Sequence, residues 1–339
     1  MSKRAVPSFL FKAIQEAKSA NLVLAGDCVI AAVSAGADSI FLLELLDELR
    51  REIDFELAVA HFNHHLRPEF DAEEEAYVQS IAATKGLKYF SGEASAEKIR
   101  NSKDGLEAGA RRARQAFFKS LLLEIWRDGD RDPDSIKIAL GHHADDLAES
   151  MLLQLTRGTG IQGLIGMRSS EAHYIRPLLE LRAKDLREYL DVQGIKYFDD
   201  HTNSDCRYLR NAIRHQLIPY WNELSGHDLV PKLCQTSNNL EAYALAADYY
   251  IEEQIRRLIG PAGQLNSKLL LQYPRSLQTL LLHRFIRGND YRLAPSARQV
   301  SQILDSLEGE RQDQCFELGN KRRLLHLGGI LILESESEY

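Results

Sequence analysis

The chain has 339 residues, 44% of them hydrophobic and 27% charged, with a formal net charge of −7. That length allows two or three domains of an ordinary globular protein, and the acidic balance gives no support to non-specific nucleic-acid binding, which would have to rest on local basic patches. No apolar run is long enough to span a membrane and no secretory leader follows Met1, while Cys28, Cys206, Cys234 and Cys315 form no C-x-x-C pair, which argues against a disulfide scaffold or a zinc or iron–sulfur site and points to the cytoplasm.

Residues 8–20 form a leading amphipathic helix, with Leu10, Phe11 and Ile14 on its apolar side. Val29–Val33 is a run of small and β-branched residues, the pattern of a strand buried on both faces. Ile40, Leu43, Leu46 and Leu49 then recur at helical spacing. Between them lies Ser34-Ala35-Gly36-Ala37-Asp38-Ser39. A loop of such small residues ahead of a helix lets backbone N–H groups approach a phosphate, although an ordinary helix start capped by Asp38 or Ser39 has the same composition. No Gly-Lys-Ser/Thr follows, so it is not a Walker A loop.

Phe55–His61 is a second buried strand, running into the polar cluster Phe62–Arg67 at its carboxyl end, the edge where open α/β sheets bind ligands. Asp71–Lys85 reads as a helix with Asp71 at its N-cap, and Lys88–Phe90 as a short strand. Gly105–Trp126 is an amphipathic helix carrying Glu107, Arg111, Arg112 and Arg114. Ile136–Leu140 is another strand, ending in Gly141-His142-His143-Ala144-Asp145-Asp146. On the helix that follows, Asp146 and Glu149 are three apart and face one way, suited either to a cationic substrate or to complementing the helix N-terminus. His142 and His143 with Asp145 and Asp146 have the chemistry of metal ligands, but adjacent histidines on a strand end point to opposite sides. Thr156-Arg157-Gly158-Thr159-Gly160 closes that helix.

Ile175–Leu179 is extended and Ala183–Gln193 helical, with Gly194 as its stop. Asp199–Asp205 is a polar loop; Arg207–Leu217 is a helix with Arg210 and Arg214 on one face, stopped by Pro219. The catalytic domain is expected to end here, giving domains 1–220 and 221–339. The remainder reads as helices over Leu229–Leu258, Lys268–Arg287 and Ser296–Leu307, followed by strand-like Gln314–Leu333 turning at Gly319-Asn320. The strand–helix alternation predicts an α/β fold, a parallel sheet flanked by helices, with a smaller, mainly helical second domain.

The loop SAGADS resembles the S-G-G-x-D-S loop of the PP-loop ATP pyrophosphatases, with Ala35 where that family has its first glycine. Together with HHADDLAE…LTRGTGIQGLIGM, RPLL…DDHTNSDCRYLRNAIRH and the run from Glu107 to Arg114, it is similar to the tRNA(Ile)-lysidine synthetase family over roughly residues 22–220. The resemblance implies an adenine nucleotide alpha hydrolase-like fold with an accessory tRNA-binding domain. It also implies a ligase that adenylates the carbonyl oxygen at carbon-2 of the wobble cytidine in the CAU anticodon of tRNA(Ile), then joins L-lysine to that carbon as AMP leaves. Ser34, Ala35, Gly36, Ala37, Asp38 and Ser39 would hold ATP, with Asp38 also placing Mg²⁺. Asp146 and Glu149 would receive lysine, and Arg114 with Arg210 or Arg214 would stabilise charge on the adenylate. Two other outcomes stay open, base thiolation by a PP-loop relative and a tRNA-binding protein impaired in catalysis by Ala35. A homodimer also stays open.

Overall fold

The computed structural model describes residues 8–65, 68–95, 97, 105–128, 131–199, 206–290, 293, 295–309, 313–319 and 322–335. Leu66, Arg67, residues 200–205, Asn320 and Lys321 lie outside them, as does the side chain of Glu107. The chain divides into two compact units, Met1–Leu240 and Glu241–Tyr339.

The first unit is built on a six-stranded sheet. β1 (Cys28–Ala32) pairs in parallel with β2 (Glu56–Asn63) on one side and β4 (Ile136–Ala139) on the other; β3 (Lys88–Glu93) extends the sheet beyond β2. β6 (Tyr174–Ile175) adds in parallel beyond β4, and only the edge strand β5 (Ser170–Glu171) is antiparallel. The order β3-β2-β1-β4-β6-β5 reverses direction at β1, so the carboxyl ends of β1 and β4 flank the topological switch point, where such sheets bind ligands. Val29, Ile30 and Ala31 are fully buried, as a central strand covered on both faces requires.

One face is covered by α2 (Ala37–Leu49), whose Ile40, Phe41, Leu42, Leu43, Leu45 and Leu46 are all buried, together with α1 (Ser8–Ser19), α3 (Pro68–Thr84) and α7 (Ala183–Gln193). The other carries α4 (Leu106–Asp128), which sets Phe118 and Leu121 against Ile30, Ala60, Ile136 and Ile138. α3 starts at Pro68, three residues before the expected cap at Asp71, because proline suits a first helical turn.

Gly92 of β3 lies beneath α4, where an added Cβ would overlap the ring of Phe117. That ring cannot yield freely, being flanked by the rings of Phe62 and Phe118, with centroids 5.4 Å and 5.5 Å away. Gly92→Ala should therefore destabilise the unit by about 1–3 kcal/mol in urea unfolding, the range for an overpacked core.

β4 leads into α5 (Ala144–Arg157), which Gly158 ends at φ 69°; the short α6 (Ile161–Ile165) follows. The segment read as one helix over 207–217 is α8 (Leu209–Ala212), a π-helical turn at Ile213–Leu217 and α9 (Ile218–Ser225). Pro219 does not stop it. Lacking an N–H, Pro219 cannot continue the i→i−4 ladder, and just before it the Ile218 N–H reaches back to the Ile213 carbonyl, so the chain continues through a widened turn. Ile213, Ile218, Val230 and Cys234 pack with Ala144, Leu147, Ala148 and Met151 of α5. For that reason the first unit extends past residue 220 to Leu240, inside the long α10 (Leu229–Leu258).

The second unit has its own core, with Leu281, Leu282, Phe285, Val300, Leu304, Leu324 and Leu331 at its centre. The helix expected over Lys268–Arg287 is broken at Pro274 into α11 (Ser267–Leu270) and α12 (Arg275–Asn289), and Ser296 and Gln299 form a capping box on α13 (Ala297–Leu307). The expected terminal hairpin is a larger sheet, β7 (Leu265–Asn266), β10 (Ile330–Ser335), β9 (Arg322–Leu327) and β8 (Gln314–Gly319) in that order. Its second turn uses Gly328 and Gly329, at φ 58° and 88°, a glycine pair that splits one apolar run into two strands. Among the described residues no helix is long and apolar enough to cross a membrane.

Candidate active site

At the carboxyl end of β1 the chain turns through Ser34, Ala35 and Gly36 into α2. Ala35 is fully buried at φ 69°, in the left-handed region, and its carbonyl accepts the Phe198 N–H at 3.0 Å. Gly36 is extended and begins α2 without a side-chain cap, leaving the helix N-terminus to a ligand or water. Ser39 knits the loop internally: its hydroxyl accepts the Ser34 N–H at 3.1 Å and donates to the Gly36 carbonyl at 2.8 Å. Gly141, at the end of β4, comes so close that a Cβ there would sit 3.2 Å from the Asp38 carbonyl. The left-handed backbone strains an L-alanine by roughly 1 kcal/mol. Ala35→Gly should relieve that strain but loosen the unfolded chain by a comparable amount, leaving stability within about 0.5 kcal/mol in thermal or urea unfolding.

A cavity of ≈ 320 Å³ opens beside this loop, within the range of small-ligand sites. Ser34, Gly36, Ala37 and Asp38 line it, as do His61, Asn63 and His64 from the end of β2 and Arg114 from α4. Of the six loop residues expected to hold a nucleotide, Ala35 and Ser39 do not line it. Among the described residues Arg114 has no ion-pair partner, and burial lowers its pKa. Burial, with Arg114 adding to it, also lowers the pKa of His64 to about 4; burial does the same for His142, so both imidazoles are neutral near pH 7.

The other charged residues gather on α5. His143 is its N-cap: Nδ1 accepts the Asp146 N–H at 3.3 Å while the Asp146 carboxylate accepts the His143 N–H at 3.2 Å. Nε2 of His143 lies 3.6 Å from Asp38 and 3.4 Å from Asp146, so this buried imidazole stands between the loop and α5. Burial pulls the His143 pKa down, but Asp146, Asp38 and Asp145 outweigh it and raise the value. The sequence singled out this histidine only as a metal ligand; its place between two carboxylates needed the fold.

Asp145 points elsewhere, accepting from Arg182 at 2.9 Å and from the Ala183 N–H at 2.8 Å. Asp146 accepts from Arg210 at 2.8 Å and Arg214 at 3.3 Å. Glu149, fully buried, accepts from Nε of Arg210 at 2.8 Å and Nε of Arg214 at 2.5 Å. Burial pushes the Asp146 carboxyl up, but His143 and Arg210 lead the contributions that hold it below the usual carboxylate range. Two acids and two arginines thus form one charge-balanced cluster. The family resemblance had assigned the acids to one ligand and the arginines to another; the structure joins them, while Arg114 lines the cavity. Among the described residues no three of His, Cys, Asp and Glu converge as a metal site.

Residues 11–221 match the PP-loop domain family. The tRNA(Ile)-lysidine synthase of Geobacter sulfurreducens is 36% identical over 77% of this chain and 55% of its own length. That of Chlorobaculum tepidum is 35% identical over 70% of this chain and 69% of its own. The chain spans about half the length of the first of these curated relatives. Among solved structures, the U34-tRNA thiolase NcsA from Methanococcus maripaludis superposes with a TM-score of 0.55 at 15% identity, over 69% of this chain and 80% of that one, which speaks for the fold alone. The matched PP-loop region and a relative covered over two thirds of its length together show that the chain belongs to the tRNA(Ile)-lysidine synthase family of PP-loop proteins.

Proposed function

We propose that the chain ligates L-lysine to carbon-2 of the wobble cytidine in the CAU anticodon of tRNA(Ile), with ATP cleaved to AMP and pyrophosphate. The observation that carries this reading is the pairing of a small-ligand-sized cavity at the loop with a buried acid–arginine cluster, bridged by His143. Ser34, Gly36 and Ala37 would hold the triphosphate at the start of α2, and Arg114 would face the phosphate attacked by the cytidine carbonyl oxygen. Oδ1 of Asp38 is buried and has no partner among the described residues, which fits a hard cation such as Mg²⁺. Mg²⁺ held there would neutralise charge on the departing pyrophosphate. Asp146 and Glu149 would receive an ammonium group of lysine. The lysine ε-amine then bonds to carbon-2, the carbon–oxygen bond to AMP breaks, and the amine proton is lost.

The second unit is assigned an accessory tRNA-binding role, supported by the exposed Tyr243 and Tyr249 on α10, rings on which unpaired bases can stack. The test is incorporation of labelled lysine into a CAU-anticodon isoleucine tRNA transcript with ATP and Mg²⁺, against a methionine tRNA bearing the same anticodon. Labelling of the first alone is expected. Labelling of neither overturns the proposal.

A further inference from the structure

The four-charge cluster poses a problem for the reading above. A lysine ammonium needs Asp146 and Glu149, and the adenylate phosphate needs an arginine, yet the acids and arginines are engaged with one another. The acids are the fixed partners. Glu149 is fully buried and Asp146 nearly so, and Asp146 is also tied into the capping box of α5. The arginines are the movable ones. Their side chains are 34% and 32% exposed, and they sit on α8 and the π-helical turn that follows it. A π turn has a looser ladder than an α-helix, and such turns recur where helices change shape at functional sites. The loop is also near, since His143 touches both Asp38 and Asp146.

We propose that Arg210 and Arg214 work as an exchange: without lysine they neutralise Asp146 and Glu149, and a lysine ammonium arriving at those carboxylates frees an arginine to take the phosphate of the nucleotide. The inference rests on the assignment of Asp146 and Glu149 to lysine and adds to it a coupling between the two substrates. No buried charge is left unpaired at either stage, the condition that makes rearranging an ion cluster affordable. Full stabilisation of the phosphate is then withheld until the nucleophile is present, which protects the adenylate from water.

The test is calorimetric titration of the full wild-type chain with lysine, alone and with a saturating non-hydrolysable ATP analogue and Mg²⁺. The exchange predicts that each ligand tightens the other by about tenfold, within the usual range of coupling between sites. Arg214→Met should bind lysine alone more tightly than wild type, because a competitor for Glu149 is gone, and should lose the coupling. Arg210→Met serves as the second variant, and the wild-type titration stands even if neither variant folds. Lysine affinity unchanged or weakened by the analogue, in a chain that forms lysidine, overturns the exchange and leaves the functional reading intact. A wild-type chain that incorporates no lysine overturns that reading and the exchange with it.

Discussion

Glu149→Gln should cost the folded state about 3 kcal/mol in denaturant unfolding, the low end of what breaking a buried ion pair costs, because both arginines can turn part of their surface to water. Glutamine keeps the shape and an acceptor, so the loss isolates the charge. Arg210 and Arg214 would then share Asp146 alone, and two neighbouring guanidinium groups would repel each other. Lysine ligation should fall steeply in the same variant. A stability change within about 0.5 kcal/mol would show that Glu149 is not what holds the two arginines.

Arg114→Ala should lower the rate of AMP formation by roughly a hundred- to a thousand-fold in single-turnover measurements, as expected when a donor aimed at developing charge is removed. Arg114→Lys should recover only part of it, because an ammonium cannot reproduce the planar fork of a guanidinium. Stability should move little in Arg114→Ala, since the arginine has no ion-pair partner among the described residues to leave behind. A variant that loses stability while keeping its rate would remove Arg114 from the reaction.

Much of the fold was legible because β1 is written in apolar residues and α2 repeats them at helical spacing, and because Gly158 and Gly194 end their helices where a positive φ is needed. Prolines misled in both directions. Pro219 reads as a stop but lies inside a continuing helix that absorbs it with a π turn, and Pro274 interrupts a helix whose apolar spacing runs straight through. The loop could be named from its small residues ahead of a helix, and Arg114 only from the family resemblance of its helix, yet nothing local distinguishes Ser34, which lines the cavity, from Ser39, which ties the loop together. The acid–arginine pairing was hidden for a different reason. Asp146 and Arg210 meet only because α5 and α8 pack side by side, a relation that periodicity within either segment does not encode.

The position of β1 at the middle of the sheet bears on how the molecule is made. Its partner β2 follows closely in the chain, but β4 joins it only after roughly a hundred further residues, a pairing whose loop-closure entropy slows folding. The SAGADS loop sits between those two strands, with Gly141, just after the later one, pressed against its backbone. A nascent chain released only as far as β3 has the whole SAGADS loop outside the ribosome and still lacks the wall that closes it. Nucleotide affinity should therefore arise late during synthesis, once α5 has emerged, and not when the motif itself does.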